Sequence, residues 1–327
     1  MLTKVFIDGG EGTTGLRLHE RLSAREDIQL LAIDPALRKD AEAKAAISNS
    51  ADIVFLCLPD DAARAAVAGI TNPHTTIIDA STAHRVLDDW AYGLPELSAG
   101  HREKIATFNR ICVPGCHATA FNLLVYPLVT SGLVCEVNLL TAHSVTGYSG
   151  AGKNVIAAYA QEDRPGYYAT PRQYALGQNH KHLPEMQKIS GLSHPPVFNP
   201  IIADFYCGMV VTVPLHLRQL KDWPSAKDLH TFFAEFYAGQ KMVRVMPWQA
   251  ENSLPESMLD PQHLAARDDL EIFVCGNGER AILTARLDNL GKGASGAAIQ
   301  CMNLSIGLPE ETGLVGGAPP LPLTLRP

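Results

Sequence analysis

The 327-residue chain has no run of eighteen apolar residues, and its opening Met1-Leu2-Thr3-Lys4 passes straight into a strand-like stretch without a signal-peptide pattern. Neither a membrane span nor export is expected, and a cytoplasmic location is. There is no long basic run and the formal charge is −7, which argues against a nucleic-acid or anionic-membrane surface and leaves small molecules as the expected partners. The seven cysteines, an odd number, include no C-x-x-C pair, so neither a disulfide framework nor a zinc site is read. Six of them, Cys57, Cys112, Cys135, Cys207, Cys275 and Cys301, stand in apolar contexts that suit buried packing. No internal repeat is visible.

What is present is enough apolar material, 46% of the residues, for a substantial core divided between two domains. Up to residue 115, apolar strand runs alternate with helix-like stretches, the pattern of a doubly wound parallel sheet. The strands are read at Lys4 to Asp8, Gln29 to Ile33, Ile53 to Leu58, Thr76 to Asp79 and near Ile111. A helix carrying Leu16, Leu18 and Leu22 follows the first, and Lys39 to Ala46 is a further helical stretch. Beyond Cys116 come a helix to Val125, a strand at Val137 to His143 and a Gly/Ser loop from Gly147 to Lys153. Longer strand-like runs at Met209 to Leu217, Met242 to Val245, Ile272 to Gly276 and Arg280 to Asp288 indicate an α+β second domain. Gly293 to Ile306 reads as a late helix, and Gly316 to Pro327 as irregular chain.

Four stretches carry chemistry. In IDGGEGTTG, Gly9, Gly12 and Gly15 allow a tight turn, close approach to a pyrophosphate and close packing of the next helix, with Thr13 and Thr14 at its start. Following a strand and opening a helix, the loop reads as a Rossmann-type dinucleotide site, although its G-x-x-G-x-x-G spacing departs from the commoner fingerprint. After the second strand, Asp34 favours a free ribose, and hence NAD, whereas Arg38 and Lys39 favour a 2′-phosphate, and hence NADP.

The second stretch, VPGCHAT, places Cys116 after a Pro-Gly turn at a helix N-terminus, where backbone N–H groups stabilise a thiolate. A nucleophile beside a nicotinamide points to a thioester that is made or reduced by hydride transfer. The third, QNHKHLPE, sets His182 three residues before Glu185, so that the carboxylate can meet the ring from one helical turn away and fix its tautomer. His180-x-His182 lacks further ligands at a recognisable spacing, so no metal is read. The fourth comprises two polar loops. DASTAHR puts Ser81, Thr82 and Arg85 at a strand's carboxyl end, and HSVTGYSGAGK offers Ser149, Lys153 and backbone N–H groups as a phosphoryl cradle. Each loop also has the composition of an ordinary turn.

Taken in order, Gly9 to Gly15, Ser81 to Arg85, Pro114 to Cys116, Ser149 to Lys153, His180 to Glu185 and Asp288 to Gly296 resemble the N-acetyl-γ-glutamyl-phosphate reductase family, its short form in particular, within the semialdehyde dehydrogenase superfamily. The likeness spans nearly the whole chain. It implies a nicotinamide domain at 1–115, a catalytic and oligomerisation domain at 116–292, and a C-terminal helix and tail at 293–327 returning to the first domain. It also implies NADP, a homo-oligomer and a role in arginine biosynthesis. The family roles fall on Cys116 as nucleophile, His182 as acid/base oriented by Glu185, Arg85 near the phosphate, and Asn289 near the nicotinamide.

Two features depart from the longer family members. His117-Ala118 stands where those carry Tyr-Pro, and Phe198 to Ile202 replaces a basic segment, leaving the substrate's amide and carboxylate contacts unassigned. The rivals are an aspartate-semialdehyde dehydrogenase-like acyl-phosphate reductase and a non-catalytic nicotinamide sensor. A short-chain dehydrogenase is disfavoured because Tyr148 and Lys153 are five apart, where that chemistry needs four.

Overall fold

A computed structural model describes residues 2–316. The first half forms β1 (Thr3–Asp8), α1 (Thr13–Ser23), β2 (Ile28–Leu31), α2 (Ala41–Ser50), β3 (Ile53–Leu56), α3 (Asp60–Gly69), β4 (Thr76–Asp79), β5 (Ala91–Tyr92), α4 (Ala99–Thr107) and β6 (Arg110–Cys112). The six strands make one sheet in the order β2-β1-β3-β4-β6-β5, every pair parallel. All four residues of β3 are buried, as befits a strand covered on both faces. The chain winds one way from β1 to β2 and the other way from β3 onward, so the crevice between the carboxyl ends of β1 and β3 is the topological switch point.

The second half adds α5 (Cys116–Thr130), β7 (Thr141–Gly147), α6 (Lys153–Tyr159), β8 (Arg172–Gln173), α7 (Leu183–Ser190), β9 (Val197–Ala203), β10 (Met209–His216), α8 (Ala226–Phe236), β11 (Val243–Val245), β12 (Leu270–Gly276), β13 (Arg280–Leu287) and α9 (Gly296–Ser305). Its seven-stranded sheet runs β11-β12-β13-β10-β7-β9-β8 and is mixed, with β7·β9 and β11·β12 parallel. α5 is apolar almost all round and buries Phe121, Leu124 and Leu128 in one core with Val211, Val213 and Leu283 of this sheet. In β10 the residues alternate, with Met209, Val211, Val213 and Leu215 buried and Val210, Thr212 and Pro214 half-exposed on the outer face. α9 leaves this region and packs Ala298, Ile299 and Met302 against Val5, Leu18, Phe55 and Ile78 of the first sheet.

Several boundaries differ from the sequence reading. The strand read at Val137 to His143 lies at Thr141–Gly147. Val137 and Leu139 are exposed, and the residues turned into the core, Ala142, Ser144 and Thr146, are small or polar. β9 carries Pro200 and no clean alternation, and it was not anticipated. Leu18 and Leu22 of α1 are buried but Leu16 is exposed. The six-cysteine reading holds for Cys112, Cys207 and Cys301. Cys57 and Cys275 are half-buried, and Cys135 is exposed because its neighbour Val134 takes the core position. The late helix opens with a π turn, Gly291–Ser295, before α9. Residues 317–327 of the tail lie outside the described residues.

Candidate active site

A cleft of about 790 Å³ runs from the glycine loop to the N-terminus of α5. At the switch point, Gly9 has φ +88°, and a Cβ there would overlap the Cys57 carbonyl. A Cβ on Gly15 would strike the backbone of Gly9 and Gly10, so both glycines are needed to fold α1 tightly over the turn. Gly12, Thr13, Thr14 and Gly15 line the cleft, whereas Gly9 shapes the turn from behind. Such a bare backbone cradle at a helix start fits a dinucleotide pyrophosphate.

On the turn after β2, the Asp34 carboxylate accepts the Ala36 N–H at 2.8 Å, capping the turn. Arg38 is exposed and pairs with Glu11 of the glycine loop. Ser81 sits at the carboxyl end of β4 but turns away from the cleft, donating from its hydroxyl to Asp79 at 2.6 Å.

Cys116 is the first residue of α5. A Cβ on the preceding Gly115 would overlap His182 Nε2 and Arg85 Nη1, so the absence of a side chain there lets both groups close on the turn. Donor atoms of Cys116, His117 and His182 lie within 4.8 Å of one another. Burial pushes the Cys116 thiol up to about 11, although the His117 N–H and Arg85 pull it down. His182 is held well below the usual imidazole range, first by burial and then by the Arg85 charge. The resting pair is therefore a neutral thiol and a neutral imidazole. The thiolate anticipated from the helix N-terminus alone is outweighed by desolvation.

Glu185 does not hydrogen-bond His182. Its Oε1 stands 4.0 Å from His182 Nε2 and accepts instead from Arg85 Nη1 at 2.8 Å, and its Oε2 accepts from Tyr92 Oη at 3.0 Å and the Gly115 N–H at 3.2 Å. Arg85 also donates to the carbonyls of Val113 and Ala80. The carboxylate thus fixes the arginine and the cysteine turn, while His182 Nδ1 has no partner among the described residues. Across the cleft, Asn289 donates to Ser149 Oγ at 2.8 Å and accepts the Gly208 N–H at 2.9 Å. Lys153, exposed at the start of α6, lines the same wall.

The sequence reading had given no role to His117, which is buried beside the nucleophile and bridges Ser144 Oγ at 2.9 Å and Tyr174 Oη at 2.8 Å. Burial lowers it to about 3. With both ring nitrogens already engaged, the Cys116, His117 and His182 cluster is better suited to proton transfer than to holding a metal. Its one sequence signal was adjacency to Cys116, since the partners lie 27 and 57 residues away.

This is the architecture of a semialdehyde dehydrogenase. Residues 34–107 match the family described as "Semialdehyde dehydrogenase, NAD binding domain", and residues 116–289 match "Semialdehyde dehydrogenase, dimerisation domain". Aspartate semialdehyde dehydrogenase II of Vibrio cholerae, complexed with ASA, superposes with a TM-score of 0.66 at 16% identity, covering 94% of this chain and 99% of that one. The Candida albicans aspartate semialdehyde dehydrogenase with NADP gives 0.66 at 14% identity, over 93% and 98%. At those identities the likeness speaks for the fold alone.

Within that class the chain belongs to the N-acetyl-gamma-glutamyl-phosphate reductase family. It is 44% identical to N-acetyl-gamma-glutamyl-phosphate reductase 2 of Nostoc sp. over 95% of this chain and 99% of that protein. It is 43% identical to the Brucella ovis N-acetyl-gamma-glutamyl-phosphate reductase over 94% and 100%. An NAD(P)-binding domain is present, and no helix among the described residues is long and apolar enough to cross a membrane.

Proposed function

We propose that the chain is a cytoplasmic enzyme of arginine biosynthesis that reduces N-acetyl-γ-glutamyl phosphate with NADPH, giving N-acetylglutamate 5-semialdehyde and phosphate. The observation that carries this reading is the Cys116 thiol at the start of α5, with a neutral His182 within 4.8 Å of it, in a cleft that also reaches the glycine loop.

The cofactor would be held by Gly12, Thr13, Thr14 and Gly15, and when bound it supplies the hydride. The remaining chemistry belongs to the chain. His182 takes the Cys116 proton as sulfur attacks the acyl phosphate, because a neutral imidazole is a base and the thiol needs one. The oxyanion of the tetrahedral intermediate faces the first N–H groups of α5, a stabilisation whose loss costs on the order of 3 kcal/mol in comparable sites. The C–O bond to phosphate breaks as the protonated His182 gives its proton to the leaving oxygen, and the departing hydrogenphosphate dianion is received by Ser149, Lys153 and the remaining N–H groups of Arg85. The thioester is reduced to a thiohemiacetal anion. Its C–S bond then breaks to release the aldehyde and the Cys116 thiolate, which regains a proton from solvent by way of His182. Asn289, pinned between Ser149 and Gly208, would hold the wall of the cleft on the nicotinamide's side.

NADP rather than NAD is favoured by the two basic residues, Arg38 and Lys39, that follow Asp34 on the turn after β2, since a 2′-phosphate calls for cations there. The homo-oligomer reading is supported by the outer face of the second sheet, where Val210, Pro214 and the exposed Ile282 and Val197 lie unpaired among the described residues. The division at residues 115 and 292 is supported by the two sheets and by the return of α9 to the first.

The test mixes protein, N-acetylglutamate 5-semialdehyde, phosphate and NADP and follows the reduced cofactor. Turnover with this aldehyde and none with aspartate semialdehyde is the expected result. Cys116→Ala abolishes turnover while NADPH still binds; retained turnover ends the thioester mechanism.

A further inference from the structure

Four cationic side chains, Arg85, Lys153, Arg172 and Lys181, line the cleft, and no carboxylate residue is among its lining. Arg85 is neutralised by Glu185. The substrate proposed above carries two anionic groups, an acyl phosphate at one end and an α-carboxylate at the other. The residues given to the phosphate leave the carboxylate without a partner.

We infer that Arg172 binds the substrate's α-carboxylate, and this rests on the function proposed above. Arg172 has no acidic partner among the described residues. It lies instead in a box of tyrosines, its guanidinium 4.3 Å from the Tyr168 ring centre, 5.2 Å from Tyr167 and 5.4 Å from Tyr159. Nη2 donates to Tyr159 Oη at 2.9 Å. The adjacent Nε is buried and has no partner among the described residues. Nε and Nη2 form the edge of a guanidinium that takes a carboxylate in two parallel hydrogen bonds. One of those donors is thus unsatisfied, and the other is engaged only by a neutral hydroxyl that keeps its own proton to donate.

The position on the chain is consistent with this role. Tyr174 reaches His117, the neighbour of the nucleophile, and Arg172 lies two residues before it on an extended segment, which points both side chains to one side about 7 Å apart. A substrate with its acyl carbon at Cys116 has its carboxylate four bonds further along a chain of comparable length. The aromatic box holds the guanidinium in place beforehand, which lowers the cost of ordering it around a ligand. Lys181, exposed beside His182, has none of these restraints.

The test compares two aldehydes in the oxidative direction with NADP and phosphate. One is N-acetylglutamate 5-semialdehyde and the other is 4-acetamidobutanal, the same molecule with hydrogen in place of the carboxylate. In the native enzyme the first is favoured in kcat/KM by on the order of 100-fold, the range of a charged hydrogen-bonded pair. Arg172→Gln raises KM for the carboxylated aldehyde by about that factor, leaves kcat within a few-fold, and brings the preference close to unity. Arg172→Lys restores part of it. Tyr159→Phe, which keeps the ring but removes the hydroxyl that tethers Nη2 and can donate to the carboxylate, lowers the preference by a smaller factor and serves if Arg172→Gln does not fold. Retained preference in Arg172→Gln, equal loss on both aldehydes, or collapse of the preference in Lys181→Gln alone overturns the assignment. A native enzyme that turns over neither aldehyde removes the parent reading and this assignment with it.

Discussion

Glu185 accepts the backbone N–H of Gly115 at 3.2 Å, which ties the first turn of α7 to the residue before the nucleophile. The same carboxylate is the salt-bridge partner of the buried Arg85 among the described residues. Glu185→Gln keeps the shape but strands that guanidinium, and breaking a buried pair on one side costs on the order of 3 kcal/mol. The expected outcome is a clear fall in Tm with a loss of kcat larger than any change in NADPH affinity. If Tm and kcat are both unmoved, the carboxylate is not the organiser of the turn.

Arg38 and Glu11 join the turn after β2 to the glycine loop. If Arg38 meets the 2′-phosphate, Arg38→Gln raises KM for NADPH by roughly tenfold, as expected for one exposed charged contact, and leaves KM for NADH unchanged. An equal effect on both cofactors would mean that Arg38 acts through Glu11 and the shape of the loop.

Cys116 is pushed up to about 11 and His182 is depressed, so the free enzyme holds no stable thiolate–imidazolium pair. Iodoacetamide alkylation of the free protein should therefore accelerate by about tenfold per pH unit above neutrality and approach its limit only near the thiol's own value. A plateau already reached at pH 6 to 7 would show a preformed ion pair and would put the helix N-terminus ahead of desolvation. Glu185→Gln removes a negative charge that raises the thiol, so its profile moves to lower pH.

The parallel sheet was legible because strands covered on both faces are written as continuous apolar runs. Thr76–Asp79 was read to the residue and Ile53–Leu56 within two. β7 was misplaced because its inward residues, Ala142, Ser144 and Thr146, are small or polar, while the apolar Val137 and Leu139 ahead of it face solvent. β9 hid behind Pro200. In the site, spacing alone put Glu185 on the turn next to His182, and adjacency alone put Cys116 at a helix start. What spacing did not contain is competition. Arg85, one hundred residues away, takes the carboxylate that local geometry offers to the histidine. The links from His117 to Ser144 and Tyr174, and the tyrosine box around Arg172, likewise join positions that only the folded chain brings together.

His117 leaves a signature in acid. Its folded value is about 3, whereas a free imidazole titrates near 6.5, so between those values unfolding takes up a proton that the folded protein refuses. Stability is therefore unaffected above about pH 6.5 and falls by about 1.4 kcal/mol for each unit below it, for every histidine so buried. His182 is depressed in the same sense, and His180, to about 4, contributes until that value is passed. His117→Gln can still bond Ser144 and Tyr174 through its amide but has nothing to protonate. Denaturation followed from pH 7.5 to 5 should show a shallower acid limb for the variant, by one proton's share, together with lower stability at pH 7.5 if the amide fits less well. A limb of unchanged slope would mean that His117 is already protonated in the folded chain, which would overturn the neutral cluster on which proton transfer from Cys116 to His182 depends.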